Sequence, residues 1–318
     1  MNEKTDKGLL LAGEPMGLFM ATEEGRLEDV DGYRVAVAGA ELNVGIGASR
    51  LGRRVGYVTK LGRDPFGQVI VRLMNAAGIS TDFTTFSDER PTGIMFKSLT
   101  PGGDPDIFYL RAGSAASTLS VADVDAIDLS GFGAVHMTGI MPALSDSTRA
   151  AAERLFERAH EAGALVSFDP NLRPQLWPSQ RAMVDFMNAT AAKADLFLPG
   201  IAEARLLMGE PEATAEQAAS HYLGLGAGAV AVKQGSRGAY YDDGETRGWG
   251  RTFPVAKVVD TVGAGDAFAA GTLTGLMEGL PLGDAVSRGN AMGSMQVQVR
   301  GDNDGLPTRE ALAAYMEG

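Results

Sequence analysis

Short apolar runs of strand length recur along the 318-residue chain, and segments with apolar residues at helical spacing lie between them. Residues 9–12, 55–60, 134–138, 165–169, 196–198 and 229–233 read as buried strands. Residues 64–77, 146–162, 179–193 and 214–225 read as helices. Asp146 can cap the second of these and Gly163 can close it. A strand that is apolar on both faces must be covered on both, and a helix between two strands lets them run parallel through a right-handed crossover. The alternation predicts an α/β fold: a mostly parallel central sheet with helices on both faces. The length suits one large domain, 1–318.

Two stretches, about 16–38 and 90–112, break the pattern. They carry strand-like pieces with polar alternation, such as 93–99 and 106–111, and no helix between them. These are read as two insertions that form a small antiparallel β-sheet lid outside the main sheet. The formal charge of −12 argues against nucleic acid and anionic membrane as partners. It also means that an anionic substrate needs a local basic pocket. There is no cysteine, so thiol nucleophiles and zinc–thiolate sites are excluded. His136, His160 and His221 show no metal-ligand spacing. The charged opening Met-Asn-Glu-Lys-Thr-Asp-Lys lacks a signal-peptide core, and no run reaches the ~20 apolar residues of a membrane span. A cytoplasmic protein is expected.

The strongest local signal is the string Asp260-Thr261-Val262-Gly263-Ala264-Gly265-Asp266-Ala267-Phe268-Ala269-Ala270-Gly271. Residues 257–259 read as a strand-like approach to a Gly-Ala-Gly turn, and an alanine-rich helix follows. Glycine lets the chain turn sharply and bring backbone N–H groups close to a ligand. At a helix start those groups and the dipole favour an anion. Asp266, in the first turn, can then act as base toward a hydroxyl held beside that anion. Two rival readings stand. Asp266 can be a plain helix cap. Alternatively, Gly263 and Gly265 can be half of a dinucleotide fingerprint, with Asp284 near the spacing of its acidic residue. A second string, residues 38–52, reads as a glycine turn that opens a small-residue helix. It serves either tight helix packing or a site where Gly39 and Asn43 meet substrate hydroxyls.

Both strings, in this order and separation, resemble the two signatures of the ribokinase-like (PfkB) carbohydrate kinases. The resemblance spans nearly the whole chain, including Gly62-Arg63-Asp64-Pro65-Phe66-Gly67, Thr92-Gly93, Asp169-Pro170-Asn171-Leu172-Arg173 and Lys233-Gln234-Gly235-Ser236-Arg237-Gly238. It implies transfer of the ATP γ-phosphoryl group to a sugar hydroxyl. Asp266 would be the catalytic base, and Gly263, Ala264 and Gly265 the anion hole. Lys233, Gly235, Ser236, Gly238, Gly263, Gly265 and Asn290 would meet the nucleotide. Mg2+ would accompany ATP, with a monovalent cation as a candidate second ion. The family's Asn-x-x-Glu motif, which places magnesium-bound water, matches Glu203, but Gly200 stands at the Asn position.

Within the family the chain resembles the 2-keto-3-deoxygluconate kinases. The matching segments are Gly13-Glu14-Pro15-Met16, Gly39-Ala40-Glu41, Phe108-Tyr109-Leu110-Arg111-Ala112-Gly113-Ser114-Ala115 and Asn171-Leu172-Arg173-Pro174-Gln175-Leu176-Trp177. The resemblance implies Tyr109, Arg111 and Arg173, beside Gly39, Asn43 and Asp266, as substrate-binding residues. It implies a sugar acid phosphorylated at its terminal hydroxyl, and a homo-oligomer, dimer or larger, formed through the lid. A kinase of a neutral sugar such as fructose or ribose, and a non-catalytic sugar-binding regulator, are the alternatives.

Overall fold

Each of the six runs read as a buried strand, and each of the four segments read as a helix, is present in the computed structural model, which describes residues 7–100 and 106–318. Residues 1–6, most of the charged opening, and 101–105 of the second lid insertion lie outside the described residues. The strands are β1 (Gly8–Ala12), β2 (Met16–Glu24), β3 (Tyr33–Ala38), β4 (Val55–Gly62), β5 (Ile79–Ser80), β6 (Thr84–Ser87), β7 (Ile94–Leu99), β8 (Ile107–Leu110), β9 (Phe132–Thr138), β10 (Leu165–Asp169), β11 (Leu196–Phe197), β12 (Val230–Lys233), β13 (Ala239–Asp242) and β14 (Arg247–Trp249). The helices are α1 (Ala40–Arg50), α2 (Pro65–Ala76), α3 (Val121–Asp125), α4 (Asp146–Glu161), α5 (Gln180–Ala191), α6 (Ile201–Met208), α7 (Ala215–Leu225), α8 (Ala264–Met277), α9 (Leu282–Gln296) and α10 (Arg309–Glu317).

Among the described residues the main sheet has ten strands in the order β14-β13-β12-β11-β10-β9-β1-β4-β5, with β6 also on β4. In this sheet β5, β6, β4, β1, β9, β10, β11 and β12 pair in parallel, and β13 and β14 add an antiparallel edge. Central strand β1 explains the layering. All five of its residues are buried. Leu10 and Ala12 pack into one core and Leu9 and Leu11 into the other, so both faces need helices. The chain leaves β1 toward β4 on one side and returns to β9 on the other, which opens a crevice at the strands' carboxyl ends. Helix α8 is buried from Ala267 through Gly275 and packs against α1 and α9. At Gly271 a Cβ would come within 2.8 Å of the Gly289 Cα, so only glycine permits this approach of α8 to α9.

Three expectations are corrected. Ser145, not Asp146, caps α4: its Oγ accepts from Thr148 N, and the Thr148 side chain returns the bond. Residues 257–259 are not a strand; Val259 N donates to Val297 O, a loop contact. The lid is mixed rather than antiparallel. β3-β2 and β7-β8 pair antiparallel, while β2 and β7, from the two insertions, run parallel. Chain direction at this join is set by where each insertion leaves the main sheet, which period-two alternation does not encode.

Candidate active site

The carboxyl ends of β1, β9, β10 and β12 and the start of α8 meet beneath the lid in a cavity of about 350 Å³. Gly39, Asn43, Tyr109, Arg111, Arg173, Glu203, Lys233, Gly263, Gly265 and Asp266 all line it, and the lid adds Met95 and Ile107. Gly263 has φ +77° and immediately precedes α8. A Cβ there would overlap the Asp302 carbonyl oxygen, so the turn needs glycine for both its dihedral and its space. Ala264 N donates to Thr261 O at 3.3 Å, but the N–H groups of Gly265 and Asp266 in the first turn of α8 have no preceding turn to bond, and the helix dipole adds positive character.

Asp266 Oδ2 accepts from Asn43 Nδ2 at 2.8 Å. Burial pushes its carboxyl up to about 7. The Asn43 bond opposes the shift, Asp169 and Glu41 add to it, and Lys233 opposes it. A carboxyl poised near neutrality can hold or release a proton at ordinary pH. Lys233 is in an ion pair with Asp169, and its Nζ would lie 3.5 Å from a Cβ at Gly265, beside the start of α8. Burial works against the ammonium, but Asp169, Glu203 and Asp266 outweigh it and hold its pKa above the usual lysine value.

Glu203 accepts from Gly200 N at 2.7 Å and Leu172 N at 2.9 Å. Burial, then Asp169, raises its pKa. Gly200 thus keeps a backbone contact to Glu203 where the family motif has an Asn side chain. Glu41 is buried and accepts from Thr138 N (3.1 Å) and Oγ1 (2.6 Å); burial raises its pKa too.

The two arginines expected to share a role are in different electrostatic states. Arg111 is buried and paired with the fully enclosed Glu14, Nε donating at 2.7 Å, while Ser114 Oγ also donates to Glu14. The Arg111 guanidinium lies 5.4 Å from the Tyr109 ring centroid. Arg173 donates to the backbone carbonyls of Leu172 (2.9 Å) and Asn171 (3.4 Å), and no carboxylate among the described residues pairs with it. Asn171, beside it, has φ +36°, the left-handed conformation that turns the chain after β10.

Gly235, Ser236, Gly238 and Asn290 do not line this cavity. Gly238 and Asn290 are brought together: a Cβ on Gly238 would stand 2.8 Å from Asn290 Nδ2, which donates to Arg251 O at 3.1 Å. The dinucleotide reading fails on topology, because α8 leads directly to α9 with no strand between, and Asp284 lies in the first turn of α9. No group of three or more His, Cys, Asp or Glu among the described residues could hold a metal. Mg2+ keeps most of its waters, so an ion carried on phosphate oxygens would be touched by the protein through water. The free lone pairs of the Glu203 carboxylate fit such a water.

Several residues in the cavity wall or just behind it lacked an assigned role in the sequence reading. Glu14 and Asp169 sat inside the quoted strings, at strand ends, which is the signal that could have found them. Lys97 reaches down from β7 to Asp302 (3.2 Å) and Asp260 (3.4 Å), buried, and ties the lid to the loop behind Gly263. Asn303 donates to Asn43. Neither had a signal in local pattern.

A titratable carboxyl beside an anion-binding helix start, with a lysine at hand and a lid over them, is the site of a phosphoryl-transfer enzyme that acts on an alcohol. The pfkB family carbohydrate kinase pattern matches residues 10–309, and the chain belongs to that family. It is 46% identical over 305 residues to the 2-dehydro-3-deoxygluconokinase of Bacillus subtilis (strain 168), covering 96% of this chain and 94% of that one. The crystal structure of the PfkB protein from Polaromonas sp. JS666 matches with a TM-score of 0.89 at 41% identity, covering 97% and 99% of the two chains. A putative ribokinase II from E. coli, solved in complex with ATP and Mg2+, matches with a TM-score of 0.87 at 25% identity, covering 98% and 99%. No helix among the described residues is long and apolar enough to cross a membrane.

Proposed function

We propose that this kinase transfers the γ-phosphoryl group of ATP to the terminal hydroxyl of 2-keto-3-deoxygluconate or a close sugar acid, in the cytoplasm. One observation carries the substrate class. Glu14, Glu41, Asp169, Glu203 and Asp266 crowd the cavity, Arg111 and Lys233 are each spent on one of these carboxylates, and Arg173 alone of the lining cations has no such partner among the described residues. An anionic substrate in this acidic setting needs that uncompensated guanidinium. The 46% identity to a 2-dehydro-3-deoxygluconokinase supports the same substrate.

In this reading Asp266 accepts the proton as the substrate oxygen bonds to the γ-phosphorus and the bond to the β-phosphate oxygen breaks, releasing ADP. Gly263, Ala264 and Gly265 place the helix-start N–H groups against the charge on the transferring group. Mg2+, when bound with ATP, neutralises phosphate charge. Glu203 would hold water toward that ion, and Lys233 to Gly238 with Asn290 would flank the nucleotide. Gly39, Asn43 and Tyr109 orient the sugar. The lid excludes water and limits ATP hydrolysis. A monovalent cation is the second ion to vary in the assay.

The test compares kcat/KM for 2-keto-3-deoxygluconate, fructose and ribose. Arg173→Ala is expected to lose about tenfold to over a hundredfold on the acid, the cost of one charge-assisted contact, with little change on fructose. A wild type that prefers fructose, or an Arg173→Ala variant that keeps full selectivity for the acid, defeats the substrate assignment and leaves the kinase intact. Arg111→Ala is a less clean probe, because it also strands the buried Glu14 without its counter-ion.

The reading includes a dimer, or larger, through the lid. On the lid face away from the cavity the register places Val35, Phe19, Phe96 and Phe108 in one cross-sheet row, with Phe19 and Phe96 stacked at 4.8 Å. Val35 is 49% exposed and Phe108 54% exposed, an apolar stripe that a second copy would cover. Light scattering is expected to show at least a dimer at micromolar concentration, and a smaller species for Phe108→Asp. A monomeric wild type refutes this.

A further inference from the structure

Asp266 meets Asn43, and Asn43 is itself held. Its Oδ1 accepts from Asn303 Nδ2 at 3.0 Å while its Nδ2 donates to Asp266. Asn303 is anchored in turn, because Arg50 Nη1 donates to the backbone carbonyls of Asn303 (3.1 Å) and Leu306 (2.6 Å). An amide has one donating and one accepting end. With Asn303 donating to the carbonyl end, only the NH2 end is left for Asp266.

Only the neutral state of Asp266 can use the carbonyl end of that amide. A carboxylate can only accept, so it bonds the NH2 end. A carboxylic acid can donate its proton to the carbonyl end. Left free, the Asn43 amide could serve either state. We propose that Asn303 is a positioning residue for phosphoryl transfer, which fixes the Asn43 amide so that its N–H faces Asp266 and thereby favours the ionised base.

The other groups that face Asp266 are Glu41 on α1 and Asp169 at the end of β10, which disfavour its charge, and Lys233 at the end of β12, which favours it. None of them touches Asn303 in a hydrogen bond or ion pair. A substitution at 303 therefore isolates the amide. Without the lock the base should titrate higher.

The inference rests on Asp266 as the base, and its test does not need the sugar. The Asp266 carboxyl carbon is titrated by carbon-13 NMR in the full chain, assigned by its loss in Asp266→Asn. In Asn303→Leu, which lacks the donor and adds no charge, the midpoint is expected to rise by about one unit. Asn303→Ala, which likewise lacks the donor and adds no charge, should shift it the same way, and this variant serves if the leucine fails to fold. In an Asn43→Ala background, Asn303→Leu should add nothing. The acid limb of kcat/KM should move with the midpoint, and activity should return to the wild-type level well above it, which a merely damaged fold would not do. An unmoved midpoint in the folded variants overturns the inference, as does an equal shift in the Asn43→Ala background. If instead the midpoint moves and no sugar acid is phosphorylated, the substrate assignment has failed and the relay stands.

Discussion

Replacing Asp266 by Asn is expected to lower turnover by about two or more orders of magnitude, the range for loss of a general base, with the fold and most ATP binding retained. The amide is isosteric, and its oxygen can still accept from Asn43 Nδ2, so the site keeps its shape. What it cannot do is take a proton. The same variant should be more stable at neutral and higher pH. Burial raises the folded-state pKa of Asp266 from 3.8 to about 7. Between those values the unfolded chain has released a proton that the folded chain still holds, so rising pH favours unfolding. The contribution is fully present below about pH 4 and is lost as pH rises through about 7. Asp266→Asn removes that dependence, so its gain in Tm over wild type should be larger at pH 8 than at pH 4. The wild-type kcat/KM should rise with pH through about 7 as the base ionises. Near-normal turnover in the Asn variant would end the assignment.

Gly263→Ala should produce the other large effect. Its Cβ would overlap the Asp302 carbonyl, and φ +77° costs a non-glycine residue about 1–2 kcal/mol in addition. Asp302 is not free to retreat, because its carboxylate holds Lys97 and the next residue holds Asn43. The turn itself must therefore move, which takes the first N–H groups of α8 off the transferring phosphoryl. Loss of oxyanion-type donors costs about 10²–10³ in kcat. Gly265→Ala is the control. Its Cβ would meet Lys233 Nζ at 3.5 Å, ordinary contact, and its φ is not in the left-handed region, so a much smaller loss of Tm is expected. Equal kcat in Gly263→Ala and wild type would show that this turn is not the anion hole.

That contrast marks where local pattern stops. The Gly-Ala-Gly turn within the string from Asp260 to Gly271 shows two glycines, and nothing in it says which one the fold cannot replace. The answer comes from Asp302, 39 residues beyond Gly263, whose carbonyl packs against the turn. The paired arginines behave the same way. Arg111 and Arg173 both sit in family-like segments, but one is neutralised by Glu14 from 97 positions away and the other is not. The lid is a milder case: its strands were legible from their alternation, whereas the parallel join of β2 to β7 depends on how two distant insertions leave the main sheet.

Chain-local physics is what the sequence by itself determined. Apolar runs buried on both faces made the parallel sheet and its helical cover, helical spacing placed the helices, and Gly-Ala-Gly before an alanine-rich segment placed the glycine turn and the helix with Asp266 in its first turn. These forces act between residues a few positions apart, so they can be read in order. Only the tertiary structure decided the charge states and the amide orientations in the cavity. Asn43 is 223 residues from Asp266 and 260 from Asn303, and Lys233 is 64 from Asp169. Burial, which sets the proton affinity of Asp266, is a property of everything packed around it rather than of its neighbours in the chain.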